Sequence, residues 1–222
     1  MSNQGMQKAE IERLVTQCII RETFEKTGKR YVPVAGSNRH IHLCRTYTDL
    51  LFGRGYELKP LRPLSQPGQF AMEETVSIEG PKGRIDNIRV LGPCRSQTQA
   101  EIFITDAYKL GIEPVVRISG DTKGTPGAKI IGPRGQVDAK SGVIVAARHI
   151  HLSPEQSGWL KLNDGDLVSI RKEGRRPLIF EDVPVRCGEG HDLELHLDLE
   201  EFNAGAIRSG ELLEILAVRS RI

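Results

Sequence analysis

Apolar residues fall at Ile11, Leu14, Val15, Cys18 and Ile19, with Glu, Arg, Lys and Gln between them. This i, i+3, i+4, i+7, i+8 spacing predicts an amphipathic helix over residues 6–26. Thr27-Gly28-Lys29-Arg30 ends it. A stripe of this kind either docks on the body of the protein or binds a partner. From Tyr31 onward the period changes to short β-rich runs cut by Gly and Pro, the pattern of sandwiches and barrels. Strands are expected at 31–35, 40–43, 74–79, 87–91, 100–104, 115–119, 142–146, 167–171, 178–180, 183–187, 192–198 and 214–218. Helical pieces are brief: 46–52 ahead of Gly53, 105–111 with Thr105 as N-cap candidate and Gly111 at its C-terminus, and a turn opened by Ser153-Pro154-Glu155-Gln156, a capping box with proline at the first helical position. Such helices cap strands and do not form a layer of their own.

The sequence Arg-His-Ile-His-Leu occurs twice, at 39–43 and 148–152, and takes up four of the six histidines. In a strand, side chains two apart share a face, so His40 with His42 and His149 with His151 each present two imidazoles side by side. Neutral imidazole is a frequent ligand of zinc and similar ions, and the duplicated H-x-H predicts two metals, one per copy. A single H-x-H is more often a surface or hydrogen-bonded pair; the repeat shifts the balance toward ligation. Residues 79–86 and 131–138 also resemble each other, each carrying a Gly-Pro-Lys/Arg-Gly turn. The turns read as hairpin chemistry without a function of their own. Two related β-units follow.

Composition adds limits. With 222 residues, 38% hydrophobic and 27% charged, the chain can bury a sizeable core. A net charge of +2 gives no global field for nucleic acid. No apolar run approaches the ~20 residues of a membrane span and no signal-peptide core is seen at the N-terminus, so a cytosolic protein without membrane association is expected. Cys18, Cys44, Cys94 and Cys187 lack a C-x-x-C and fit reduced thiols. Cys44 continues the two-residue spacing of His40 and His42, although a small buried thiol is its commoner role.

Each metal needs a third protein ligand and, for catalysis, an open position. Glu194, His196 and Asp198 alternate onto one strand face, whereas His191 sits in a glycine-rich turn and is expected to face solvent. His196 is the better ligand. In Gly92-Pro-Cys-Arg95-Ser-Gln-Thr-Gln-Ala-Glu101 a loop arginine precedes a strand glutamate. An arginine beside a metal can hold phosphate or carboxylate through its planar fork, although most Arg–Glu combinations are surface pairs.

Six ordered motifs then carry a resemblance: Ser37-Asn-Arg-His-Ile-His-Leu43, Gln66-Pro-Gly-Gln-Phe-Ala71, Val90-Leu-Gly-Pro-Cys-Arg-Ser-Gln-Thr-Gln-Ala-Glu101, Lys123-Gly-Thr-Pro-Gly127, the segment from Val143 to Pro154, and His196-Leu-Asp-Leu-Glu-Glu-Phe-Asn-Ala204. Together, over about residues 32–218, the chain resembles the bacterial microcompartment phosphotransacylases, the phosphate propanoyltransferase family of PduL type. The resemblance implies a mainly β fold of two β-barrel domains capped by short α-helices, plus the N-terminal amphipathic helix. Residues 1–28 would be the targeting helix and linker, 29–38 with 147–218 a discontinuous first barrel, and 39–146 the second barrel with an interdomain hairpin. It also implies a dinuclear zinc site, one ion held by His40, His42 and Glu101, the other by His149, His151 and His196. Arg95 matches the phosphate-binding arginine, and Ser37, Arg89, Leu91, His196 and Asn203 match contacts to coenzyme A, with Arg62 the equivalent of a further basic residue. Cys44 stands where family members often carry Ser.

The reaction implied is acyl-CoA, propanoyl or acetyl, plus phosphate to acyl phosphate plus coenzyme A, reversible and without a covalent acyl-enzyme. The family context further implies a homo-oligomer in the lumen of a bacterial microcompartment, meeting shell or core proteins through the N-terminal helix. Two rival readings are a dinuclear metal hydrolase acting on thioesters and a non-catalytic, zinc-stabilised scaffold.

Overall fold

The structure, a computed structural model, describes residues 3–220; residues 1 and 2 of the N-terminal segment lie outside the described residues. The elements run α1 (Asn3–Thr27), β1 (Arg30–Ser37), β2 (His40–Cys44), α2 (Arg45–Phe52), β3 (Pro60–Pro63), β4 (Phe70–Glu79), β5 (Arg84–Arg95), β6 (Gln99–Ile102), α3 (Ile104–Leu110), β7 (Val116–Arg117), β8 (Ala128–Ile131), β9 (Gln136–Ala139), β10 (Val143–Ala146), β11 (His149–Leu152), α4 (Pro154–Leu160), β12 (Leu167–Lys172), β13 (Leu178–Cys187), β14 (Glu194–Asp198), α5 (Leu199–Ala204) and β15 (Leu212–Arg219). The chain divides into two compact units, Met1–Ser37 with Arg148–Ile222, and Asn38–Ala147.

The first unit is a closed barrel in the order β1-β14-β11-β13-β12-β15, with β15 pairing back onto β1. Alternation along the strands sends Val32, Val34, Ile150, Leu152, Val168, Ile170, Val183, Val185, Leu195 and Leu197 into one core. β13 is a single strand, not the expected two; Asp182, at φ 56°, lies between the two expected runs and absorbs the irregularity. α4 begins at the expected capping box, where Ser153 Oγ accepts from Gln156 N at 3.2 Å and Gln156 Oε1 from Ser153 N at 2.9 Å. Gly36 lies against α5, where a Cβ would come within 2.9 Å of the Leu199 side-chain end and push it aside.

α1 docks on this barrel, but not through its apolar stripe. Ile20 is fully buried in the barrel core and Phe24 packs against it, while Ile11, Leu14, Val15, Cys18 and Ile19 stay exposed. On the docked face Arg13 Nη1 and Gln17 Nε2 donate to Asp192 at 2.5 and 2.7 Å. Arg13, Gln17, Ile20 and Phe24 follow helical spacing, so one helix carries a polar-apolar docking face and a separate exposed apolar one.

The second unit is a curled half-barrel of nine strands. Its path is β7-β10-β6-β2-β5-β4-β8-β9, with β3 paired to β4 at one side. The two Gly-Pro-Lys/Arg-Gly segments form the β4–β5 and β8–β9 hairpins. Each also closes the end of a helix: Lys82 N donates to Leu110 O of α3 at 3.0 Å, and Arg134 N to Leu51 O of α2 at 2.9 Å. A Cβ at Gly132 would approach Leu51 O to 2.6 Å, and one at Gly80 would strike Leu110 O. These turns therefore have a structural role beyond reversing the chain: they satisfy helix C-terminal carbonyls.

Candidate metal and substrate site

Strand pairing assembles the first group. β2 runs antiparallel to β6 with His40 opposite Glu101 and His42 opposite Gln99. All four side chains thus share one face, because residues two apart on each strand do so. One ligand atom from each of His40, His42 and Glu101 lies within 4.8 Å of the others. His40 Nδ1 donates to Asn38 O at 2.8 Å, which turns Nε2, with its lone pair, toward Glu101 Oε2 at 3.4 Å. His42 Nδ1 is buried and has no hydrogen-bond partner. A buried polar atom without a partner is costly, and a metal ion would satisfy it.

Electrostatics favour the same donor set. Burial, then the neighbouring His40 and Arg95, holds His42 neutral, well below the ordinary imidazole range. Burial also opposes charge on Glu101, but His40, His42 and the Ser119 hydroxyl outweigh it and keep the carboxyl ionised far below its usual value. For His40, burial is outweighed by Glu101 and the Asn38 carbonyl, so its affinity for a proton rises. The carboxylate favours a cation at this group, and a divalent ion there would displace the proton. Cys44 is outside the group. His42 stands opposite Leu91 and Cys44 opposite Arg95, so β5 carries two extra residues there and the pairing shifts beside the thiol.

The second group lies wholly in the barrel unit. β11 and β14 run antiparallel with His149 opposite His196 and His151 opposite Glu194. His149, His151 and His196 bring one ligand atom each within 4.8 Å of one another. Their ring centroids are 4.6 to 5.1 Å apart. Glu194 Oε2 lies 2.7 Å from His196 Nε2, the kind of carboxylate partner that orients a ligating imidazole. Burial first, and then His149, His196 and His191, lowers His151 to about 2. His191 is not the solvent-facing residue its turn suggests: it is half-buried, stacked on His151 at 4.2 Å with the rings 4° from parallel. Its Nδ1 meets Arg186 O at 3.3 Å, which anchors the ring.

Other residues named from the sequence are placed as follows. Arg95 ends β5, half-buried, with Nη1 3.5 Å from Ser119 Oγ. Arg89, opposite His40 on β5, donates through Nη1 to Met72 O at 2.9 Å and Glu73 O at 2.7 Å. Leu91 is opposite His42. Arg62 is exposed on β3. In the barrel unit Ser37 ends β1 opposite Asp198, whose carboxylate caps α5 by accepting from Glu201 N at 2.8 Å. Asn203 is exposed on α5. Sequence reasoning passed over Gln99, Ser119 and the stacked His191. Gln99 was within reach, since it sits two residues before Glu101; Ser119 was not, because only the fold brings it to that strand.

The donor sets, two imidazoles with a carboxylate and three imidazoles, suit a borderline divalent ion such as zinc with one coordination position left open. Comparison with known proteins gives a concordant picture. The family model for phosphate propanoyltransferase matches residues 33–208. A phosphate propanoyltransferase of Thermotoga maritima is 49% identical over 199 residues, 89% of this chain and 95% of that protein. One from Rhodopseudomonas palustris is 47% identical over 184 residues, 83% of this chain and 81% of its own. Another from Salmonella typhimurium is 43% identical over 195 residues, 87% and 92% respectively.

Proposed function

The chain belongs to the phosphate propanoyltransferase family, and from that premise we propose that it moves a propanoyl or acetyl group reversibly between coenzyme A and phosphate, using two zinc ions, one held by each unit. It is a phosphate acyltransferase. The observation that carries the finer reading is the buried His40–His42–Glu101 group with its partnerless His42 Nδ1, a donor set with the charge and protonation state a divalent ion requires. His149, His151 and His196 would hold the second ion. When bound, zinc supplies Lewis acidity toward oxygen and a soft partner for a departing thiolate.

The chain's own residues supply the rest. Arg95 offers a planar cationic fork to phosphate, offsets its charge and orients one oxygen toward the thioester carbonyl. Arg89, held by two backbone carbonyls, keeps its guanidinium fixed where a coenzyme A phosphate would be met. Ser37, Arg62, Leu91, His196 and Asn203 complete the proposed coenzyme A contacts. No Ser-His-Asp relay is required, and direct attack by phosphate predicts ternary-complex kinetics. The exposed face of α1 supports a location in a bacterial microcompartment lumen, where Ile11, Leu14, Val15 and Ile19 would meet shell or core proteins, with the enzyme itself a homo-oligomer. Among the described residues no helix is long and apolar enough to cross a membrane.

The test is an assay with propanoyl-CoA and phosphate that follows thiol release and traps acyl phosphate, with a chelated control. Phosphate-dependent, chelator-sensitive release with acyl phosphate formed is expected, and Arg95→Ala should lose most of it. Thiol release independent of phosphate would point to a thioester hydrolase, and no turnover to a scaffold. A Leu14→Ser, Val15→Ser variant should keep full activity and lose encapsulation.

A further inference from the structure

Glu101 is held by more than its histidine neighbours. Gln99 Nε2 donates to Glu101 Oε1 at 2.7 Å and Ser119 Oγ donates to the same oxygen at 2.8 Å. The second N–H of Gln99 reaches Ser119 Oγ at 2.9 Å, and Arg95 Nη1 approaches that hydroxyl at 3.5 Å. The amide cannot be turned the other way, because its Oε1 accepts from Gly120 N at 2.7 Å and a backbone N–H can only donate. Every proton in the set is therefore assigned: the hydroxyl gives its one hydrogen to Glu101 and accepts from Gln99 and Arg95, while the amide gives one hydrogen to Glu101 and the other to Ser119.

Two donors thus occupy Oε1 and leave Oε2, the oxygen 3.4 Å from His40 Nε2, facing the histidines. We propose that Gln99 and Ser119 are positioning residues that make Glu101 a one-oxygen ligand through Oε2. Ser119 additionally ties that ligand to Arg95, so the phosphate-binding arginine and the metal group share one hydroxyl. This rests on the metal reading given above. A carboxylate free to swing would chelate through both oxygens and fill the position that substrate needs; one oxygen already committed to two hydrogen bonds keeps that position open.

The experiment is Co2+ titration of the full-length metal-free protein against a chromophoric chelator, with the visible absorption recorded. Wild type should hold two ions and His42→Ala one, which identifies the group. Gln99→Met and Ser119→Ala should each lower affinity at that group alone by roughly 10–100-fold. The absorption should weaken as the carboxylate becomes bidentate and coordination number rises, and Ser119→Thr, which keeps the hydroxyl, should restore both. Each variant leaves a buried partner of Glu101 or Gly120 unpaired, so metal-free melting should fall modestly, while unchanged affinity at the second group shows that the fold is kept. Unchanged affinity and spectrum in both variants would overturn the proposal, as would equal losses at both groups with a lowered melting point. A wild type that binds no ion at the first group would overturn the metal reading itself, and this inference with it.

Discussion

Asp192 offers the sharpest check on how the N-terminal helix is held. Its buried carboxylate accepts from Gln17 Nε2 at 2.7 Å, Gln156 Nε2 at 2.5 Å and Leu193 N at 3.0 Å through Oδ1, and from Arg13 Nη1 at 2.5 Å through Oδ2. Asp192→Ala strands the buried Gln156 amide and Leu193 N–H, at about 1–3 kcal/mol each. Gln17 and Arg13 can turn to water, and the Arg13 side chain is 43% exposed, so that ion pair is worth at most about 1 kcal/mol. The alanine variant should therefore lose about 2–7 kcal/mol. Asp192→Asn, with its oxygen at the Oδ1 position, keeps the bonds from Gln17, Gln156 and Leu193 and should lose about 1 kcal/mol. Urea unfolding followed by fluorescence reads this directly, because the chain's single tryptophan, Trp159, packs against the barrel core. Equal losses in the two variants would refute the reasoning, since they would show that charge and not the pattern of acceptors holds the helix.

Several other outcomes are expected. In metal-free protein the unfolded His151 imidazole binds a proton near pH ~6.5, whereas the folded one does so only at about 2. The unfolded state then binds more protons below pH ~6.5, so barrel stability should fall with pH by up to about 1.4 kcal/mol per unit, and His151→Gln should flatten that slope in the same urea assay. Gly132→Ala drives a methyl into Leu51 O and should cost about 1–3 kcal/mol, visible as a lowered melting temperature. Leu14→Ser, on the exposed face of α1, should shift urea stability by less than about 0.5 kcal/mol. Removing Ile20, on the docked face, as Ile20→Ala should cost about 2–5 kcal/mol.

Local signals were legible where one residue decides the outcome. The Ser153 capping box set the start of α4, and glycines marked the hairpins. The helical period at 6–26 gave α1 but not its docked face, because that face combines Ile20 and Phe24 with Arg13 and Gln17, which reach a carboxylate far along the chain. β3, β8 and β9 escaped detection: the first is bounded by Pro60 and Pro63, and the others are four-residue strands with little alternation. Ile104 read as strand and opens α3 instead, where Asp106 accepts from Phe103 N at 3.2 Å. In the site, the H-x-H pairs follow from strand geometry alone. Glu101 needed the register of β2 against β6, and the stacking of His191 on His151 needed the return of its turn over the barrel.

The barrel's closure has a consequence for synthesis of the protein on the ribosome. β1 pairs with β14 and β15, both encoded near the far end of the chain. Ser37 emerges about 160 residues before Glu194, a delay of roughly 10–30 s at ~5–20 residues per second. Throughout it, both edges of β1 lack their partners, and Ile20 and Phe24 have no floor to pack on. Ile20 and Phe24 of the docked face are then accessible together with the exposed apolar stripe, so for those seconds the nascent helix shows more apolar surface than it does in the folded protein.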